Sequence, residues 1–177
     1  PVINMGIGSP DLKPAPAVIV AMTAAMQDEN AHQYQSYQGL PELRQAMADF
    51  YERNYQVSLN STTEILPLMG SKEGIMHISL AFLNEGDGVL IPNPGYPTYT
   101  SVTNLVGAVP LYYDLKESTN WEPDFEALEK MDLAKVKLMW IGYPHMPTGA
   151  RGNLALFEKL VAFAQKHNIL LVNDNPY

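Results

Sequence analysis

Asp174 and Tyr177 stand three residues apart, directly after the apolar run Ile169-Leu170-Leu171-Val172. That spacing puts a carboxylate and a phenol at the end of a strand, and an open α/β sheet binds ligands in the crevice outside the carboxyl ends of its strands. Three further segments follow apolar runs in the same way: Gly70-Ser71-Lys72-Glu73-Gly74, Asn93-Pro94-Gly95-Tyr96-Pro97 and His145-Met146-Pro147-Thr148-Gly149. The first can gather backbone amides and the Ser71 hydroxyl around an anion at a helix N-terminus. The second holds an aromatic ring between prolines, where it can stack on a flat ligand. A buried carboxylate such as Asp174 needs a cation or hydrogen-bond donors to stay ionised.

Each feature alone also has a plainer reading. Asp174 can cap a following helix with Pro176 in its first turn. Ser71 can open a capping box, with Gly74 as a costly helical glycine. Tyr96 can simply cover the core. A lone histidine in a proline-rich turn is usually exposed, so His145 is given no acid–base role. Four such loops at strand ends are together more specific than any one of them.

Periodicity supplies the elements that must position these loops. Residues 1–13 read as extended and irregular, broken by Gly6, Gly8, Pro10 and Pro14. A helix is expected over about 15–28, with Val18, Met22, Ala25 and Met26 on one face. A polar, aromatic loop over 31–39 ends at Gly39. Pro41 then opens a helix to about Tyr55 with the stripe Leu43, Met47, Phe50 and Tyr51. Residues 65–69 read as a strand made awkward by Pro67, and 72–84 as a buried helix. Strands are expected at 89–91, 109–113, 137–141 and 169–173. Between them fall helices from Tyr96 to about Val106, over 124–131, and after a cap at Asn153. The last of these should bury Phe157, Leu160, Val161 and Ala164. Strand–helix alternation predicts an α/β fold, a mostly parallel sheet with helices on both faces.

Composition narrows the function classes. The chain has 177 residues, 11 Lys+Arg against 19 Asp+Glu, and a net charge of −8. So acidic a balance argues against nucleic acid as the main partner. No apolar run approaches the roughly 20 residues of a membrane span. With no cysteine there is neither a disulfide framework nor a thiolate metal site, and no metal is expected. The start, Pro1-Val2-Ile3-Asn4, has no signal-peptide pattern and reads as cut, as does the far end.

In their order, the four loops resemble the class I/II aminotransferases, pyridoxal 5'-phosphate (PLP)-dependent enzymes of fold type I. Gly8-Ser9-Pro10-Asp11 resembles that family's N-terminal segment, and Tyr34 to Arg44 matches its Y-x-x-x-x-G-x-P-x-L-R. The resemblance covers essentially the whole chain. It implies a truncated PLP-binding large domain over 40–177, preceded by an N-terminal arm, helix and loop over 1–39.

The resemblance also assigns roles. Ser71 and Lys72 fall on the backbone that binds the cofactor phosphate, Tyr96 on the ring-stacking aromatic, Asp174 on the partner of the pyridine nitrogen, and Tyr177 on the donor to the ring's phenolic oxygen. Gly8 would touch the substrate carboxylate. Tyr34, with Tyr37 as its rival, would reach the phosphate of the neighbouring subunit. The implied protein is a cytoplasmic homodimer that moves an amino group from an α-amino acid to a 2-oxo acid. Met146 departs from the pattern, standing where the family has an asparagine. The Schiff-base lysine and two arginines lie downstream in the family and are absent here, so this chain alone is expected to be inactive. Two alternatives share these residues: a PLP-dependent carbon–sulfur β-lyase, and a non-catalytic aminotransferase-like sensor domain of a transcription regulator.

Overall fold

The computed structural model describes Val2, Ile3, Gly8 and residues 10–177; the expected breaker Gly6 and Ser9 of the Gly-Ser-Pro-Asp segment lie outside them. The chain divides into two units, residues 1–67 and 68–177.

The first unit holds α1 (Pro16–Ala25), a short 3-10 turn (Glu29–His32) and α2 (Pro41–Tyr55). Both helices begin at a proline, whose missing N–H costs nothing at a first helical position. α1 buries no residue, so the expected buried face through Val18, Met22, Ala25 and Met26 is not formed. Its apolar residues run round the whole helix, and Ile19 and Val20 are as exposed as the rest. α2 is buried through Arg44 and Ala48, while Leu43, Phe50 and Tyr51 of the expected stripe are exposed. On that buried side, Arg44 Nη1 donates to the Ser61 carbonyl at 3.2 Å.

The second unit is a four-stranded sheet with helices on both faces. In chain order it runs α3 (Ser71–Phe82), β1 (Gly88–Asn93), α4 (Pro97–Leu105), β2 (Val109–Asp114), α5 (Phe125–Glu129), β3 (Val136–Ile141), α6 (Leu154–His167) and β4 (Leu170–Asn173). The spatial order is β2-β1-β3-β4, and every pairing is parallel. Register aligns Leu90 with Leu111 and with Met139, and Met139 with Leu171. The period-2 alternation sends these residues to one face, where Leu128 of α5 and Leu156, Leu160 and Phe163 of α6 cover them. Val89, Ile91, Leu138 and Trp140 point the other way, against Ile75 of α3 and Tyr99 and Val102 of α4. The central strands β1 and β3 are thus dry on both faces, which is why they read as unbroken apolar runs.

Three local expectations are corrected. Residues 65–69 form no strand: Pro67 cannot donate to a ladder, and the segment has no neighbouring strand among the described residues. α3 buries only Gly74, Ile75 and Ser79, leaving Leu80 and Phe82 exposed. On α6, two apolar stripes share Leu160 and Ala164. Packing on the sheet selects the one with Leu156 and Phe163, and Val161 stays exposed. β4 is an edge strand with no fully buried residue, because its outer side meets no other strand among the described residues.

Asn153 caps α6 as expected, its Oδ1 accepting from the Leu156 N–H at 2.9 Å. Replacing Asn153 with Ala should lower stability by about 1 kcal/mol, while Asn153→Ser retains most of it. Urea denaturation of the three proteins tests this, and equal midpoints for native and Ala forms would remove the cap from the account.

Candidate active site

Parallel strands place their C-terminal ends on one edge of the sheet. From β1 the chain steps outward to β2, then crosses back to β3 on the other side of β1. The β1/β3 boundary is therefore the topological switch point, where the two loops diverge and leave a crevice. The loop after β1 carries Tyr96, the loop after β3 carries His145 and Met146, and the segment after β4 opens with Asp174. Three of the four candidate loops thus reach one edge through sheet topology alone.

Side-chain contacts tie them together. The Tyr99 hydroxyl donates to Asp174 Oδ2 at 2.9 Å. Tyr99 lies flat on Trp140, with ring centroids 4.9 Å apart and planes 4° from parallel. Tyr96 meets the edge of Tyr99 at 5.7 Å, and Lys72 Nζ stands 6.0 Å from the Tyr96 ring centre. A continuous run of contacts therefore links the start of α3, the 93–97 loop, α4, β3 and the end of β4. Ser71, Lys72, Tyr96 and Asp174 all belong to this region.

Asp174 is fixed from its backbone outward. Its N–H donates to the Ile141 carbonyl at 2.9 Å, which extends the β3–β4 ladder by one residue. A Cβ added at Gly142 would lie 3.1 Å from the Asp174 carbonyl oxygen, a tight contact, so the close approach of the two loops favours a glycine there. The neighbouring Asn173 Oδ1 accepts from the Tyr143 N–H at 3.1 Å. The carboxylate is half-buried, and among the described residues only Oδ2 is engaged in a hydrogen bond. Burial, followed by the Asp174 charge and hydrogen bond, pushes the Tyr99 phenol far above the ordinary tyrosine value. Tyr99 is thus a neutral, permanent donor.

At the start of α3, Gly70 adopts φ +104°, a conformation that L side chains rarely take. Glu73 reaches back to accept the Met69 N–H at 2.6 Å. Ser71 is the first helical residue rather than the cap, and no side chain caps the helix. The Glu73 N–H is taken by the Gly70 carbonyl at 3.2 Å, so the Ser71 hydroxyl and the Ser71 and Lys72 amides are the groups open to an anion.

His145 corrects the sequence reading. It is buried, 3% exposed, and its Nδ1 pairs with Thr148 Oγ1 at 2.8 Å. Burial lowers its pKa from the ordinary histidine value, offset in part by the Pro94 backbone. Its Nε2 is buried and has no hydrogen-bond partner among the described residues. Tyr177 is exposed, and in the first unit Gly8, Tyr34 and Tyr37 are exposed too. Sequence reasoning missed Tyr99 and Trp140. The only available signal was the i, i+3 spacing of Tyr96 and Tyr99, which puts both rings on one side of a helical turn.

A sequence model of the family described as aminotransferase class I and II matches residues 1–177. The chain belongs to that family. It is 44% identical over 176 residues to an LL-diaminopimelate aminotransferase of Dehalococcoides mccartyi, covering 99% of this chain and 45% of the relative. A protein of the same name from Aquifex aeolicus is 40% identical, with 99% and 46% covered. Among solved structures, substrate-bound BacF from Bacillus subtilis superposes with a TM-score of 0.92 at 40% identity, covering 98% of this chain and 44% of that one. An aromatic aminotransferase from Pyrococcus horikoshii gives a TM-score of 0.94 at 28% identity, with 99% and 47% covered. The chain therefore spans less than half the length of the relatives it matches, and its sheet and helices are those of the aminotransferase fold.

The buried, neutral His145 gives a pH signature. The unfolded chain takes up a proton near pH 6.5 that the folded site resists, so stability is lost as pH falls through that region. Between pH 7 and 5.5 the native protein should lose more stability than His145→Gln, because only the native chain gains a proton on unfolding there. Thermal melts at the two pH values check this, and parallel losses in both proteins would refute it.

Proposed function

We propose that the full-length protein is a PLP-dependent aminotransferase, moving an amino group from an α-amino acid to a 2-oxo acid. The observation that carries the reading is the contact run Lys72–Tyr96–Tyr99–Asp174, which gathers a helix N-terminus, an aromatic face and an oriented carboxylate at one switch point.

The residues present fit the cofactor. PLP has a phosphate, a flat ring and a basic ring nitrogen, and each meets a matching group. The Ser71 hydroxyl and the Ser71 and Lys72 amides at the start of α3 suit the phosphate, with the Lys72 cation near its rim. Tyr96, half-buried beside Tyr99, offers a ring face for stacking. The free oxygen of Asp174 accepts a proton-bearing ring nitrogen and keeps that proton in place by its charge. The Tyr177 phenol is assigned to the ring's phenolic oxygen. When bound, PLP supplies an electron sink that stabilises the carbanion formed as an amino acid loses its α-proton.

From the family resemblance, Gly8 is assigned to the substrate carboxylate, and Tyr34 to the phosphate held by a neighbouring subunit of a cytoplasmic homodimer. Residues 1–39 are assigned as an arm preceding the large domain. The lysine that holds the cofactor covalently, and the arginines for phosphate and substrate carboxylate, are assigned to a downstream part of the protein. On that assignment the 177-residue chain binds PLP without turning over. Met146 brings a thioether where the family has an amide donor, which should shift substrate preference. The relatives named LL-diaminopimelate aminotransferases make LL-diaminopimelate with 2-oxoglutarate the first pair to assay.

The deciding experiment compares the full-length protein with its Asp174→Asn form. The native protein should release glutamate from this or another amino donor. The variant should lose a hundredfold or more of kcat, because removing a charge-assisted partner costs roughly 2–3 kcal/mol or more. Undiminished turnover by the variant would sink the assignment, and pyruvate from cystathionine without amino transfer would replace it with the lyase.

A further inference from the structure

Tyr99 has no place among the groups that would touch cofactor or substrate, yet it is the residue on which Asp174 depends. It is 4% exposed, its ring is clamped flat on Trp140, itself 1% exposed, and its hydroxyl ends on Asp174 Oδ2 at 2.9 Å. A stacked, buried ring cannot swing. The hydroxyl is therefore a fixed post on the first turn of α4, 75 residues away in sequence from the carboxylate it meets.

We propose that Tyr99 is a positioning residue: by occupying Oδ2 it fixes the rotation of the Asp174 carboxylate and leaves Oδ1 as the single acceptor for a pyridine-type ring nitrogen. This inference rests on the PLP reading given above. The reasoning is geometric. The backbone of Asp174 is pinned by the Ile141 carbonyl and the Gly142 approach, which leaves the side-chain rotation as the remaining freedom. A carboxylate without a second contact can offer either oxygen to a ring nitrogen, in several orientations. One hydrogen bond from a rigid donor removes that choice before the ligand arrives, so less ordering is lost on binding. The hydrogen bond also draws charge from the carboxylate, which favours leaving the shared proton on nitrogen rather than on oxygen. A tyrosine suits this post because it stays a neutral donor over the whole working pH range.

The test uses the full-length protein, PLP labelled with nitrogen-15 in its ring, and the variants Tyr99→Phe, Tyr99→His and Asp174→Asn, with the Phe–Asn double variant. Tyr99→Phe keeps the stack on Trp140 and removes only the hydroxyl. It should weaken PLP binding about tenfold and move the ring-nitrogen resonance toward the unprotonated value. Tyr99→His, which can still donate, should recover most of both. In the double variant the Phe substitution should add almost nothing beyond Asp174→Asn, because the hydroxyl acts only through that carboxylate.

A merely structural tyrosine would lower the melting temperature and leave the resonance in place. Unchanged affinity and resonance in Tyr99→Phe, with Asp174→Asn impaired, overturn the role of Tyr99 and leave the PLP reading standing. Equal losses from the Phe substitution in native and Asn backgrounds also overturn it. Native protein that binds no PLP overturns the PLP reading itself.

Discussion

Everything at the candidate site depends on parallel pairing. An antiparallel sheet would send successive loops to opposite edges, whereas four parallel strands deliver the segments after β1, β3 and β4 to one edge. Parallel pairing in turn demands that both faces be covered. α3 and α4 do so on one side, α5 and α6 on the other. The apolar central strands therefore fix where the polar residues must emerge.

The site uses few charges. Asp174 is its one carboxylate held by a phenol, and burial raises the Tyr99 phenol well above the ordinary value, so the donor stays protonated. Preorganisation here comes from stacked aromatics and backbone hydrogen bonds rather than from an ion-pair network.

Much of this was legible in the residues. Strand–helix alternation announced the parallel sheet, Asn153 announced the start of α6, and the loops at 93–97 and 144–149 fell at strand ends, while 70–74 opens α3 without a strand before it. The errors share a cause. Leu43, Phe50 and Tyr51 on α2, and Val161 on α6, were chosen because apolar stripes overlap, and periodicity cannot say which of two stripes meets the sheet. The strand expected at 65–69 failed because a strand needs a partner, and pairing is not a local property. His145 was judged by the usual exposure of proline-rich turns, whereas the folded loop buries it and pairs its Nδ1 with Thr148.

By itself the sequence determined the fold class, the element order and the chemical types at the strand ends, because hydrophobic period, caps and breakers act over a few residues. It did not determine which groups meet. Only the tertiary structure seated Tyr99 on Trp140, aimed its hydroxyl at Asp174 and turned Arg44 inward. Those contacts join residues far apart in the chain, and their geometry is set by how β1, β3 and α4 pack rather than by any local preference.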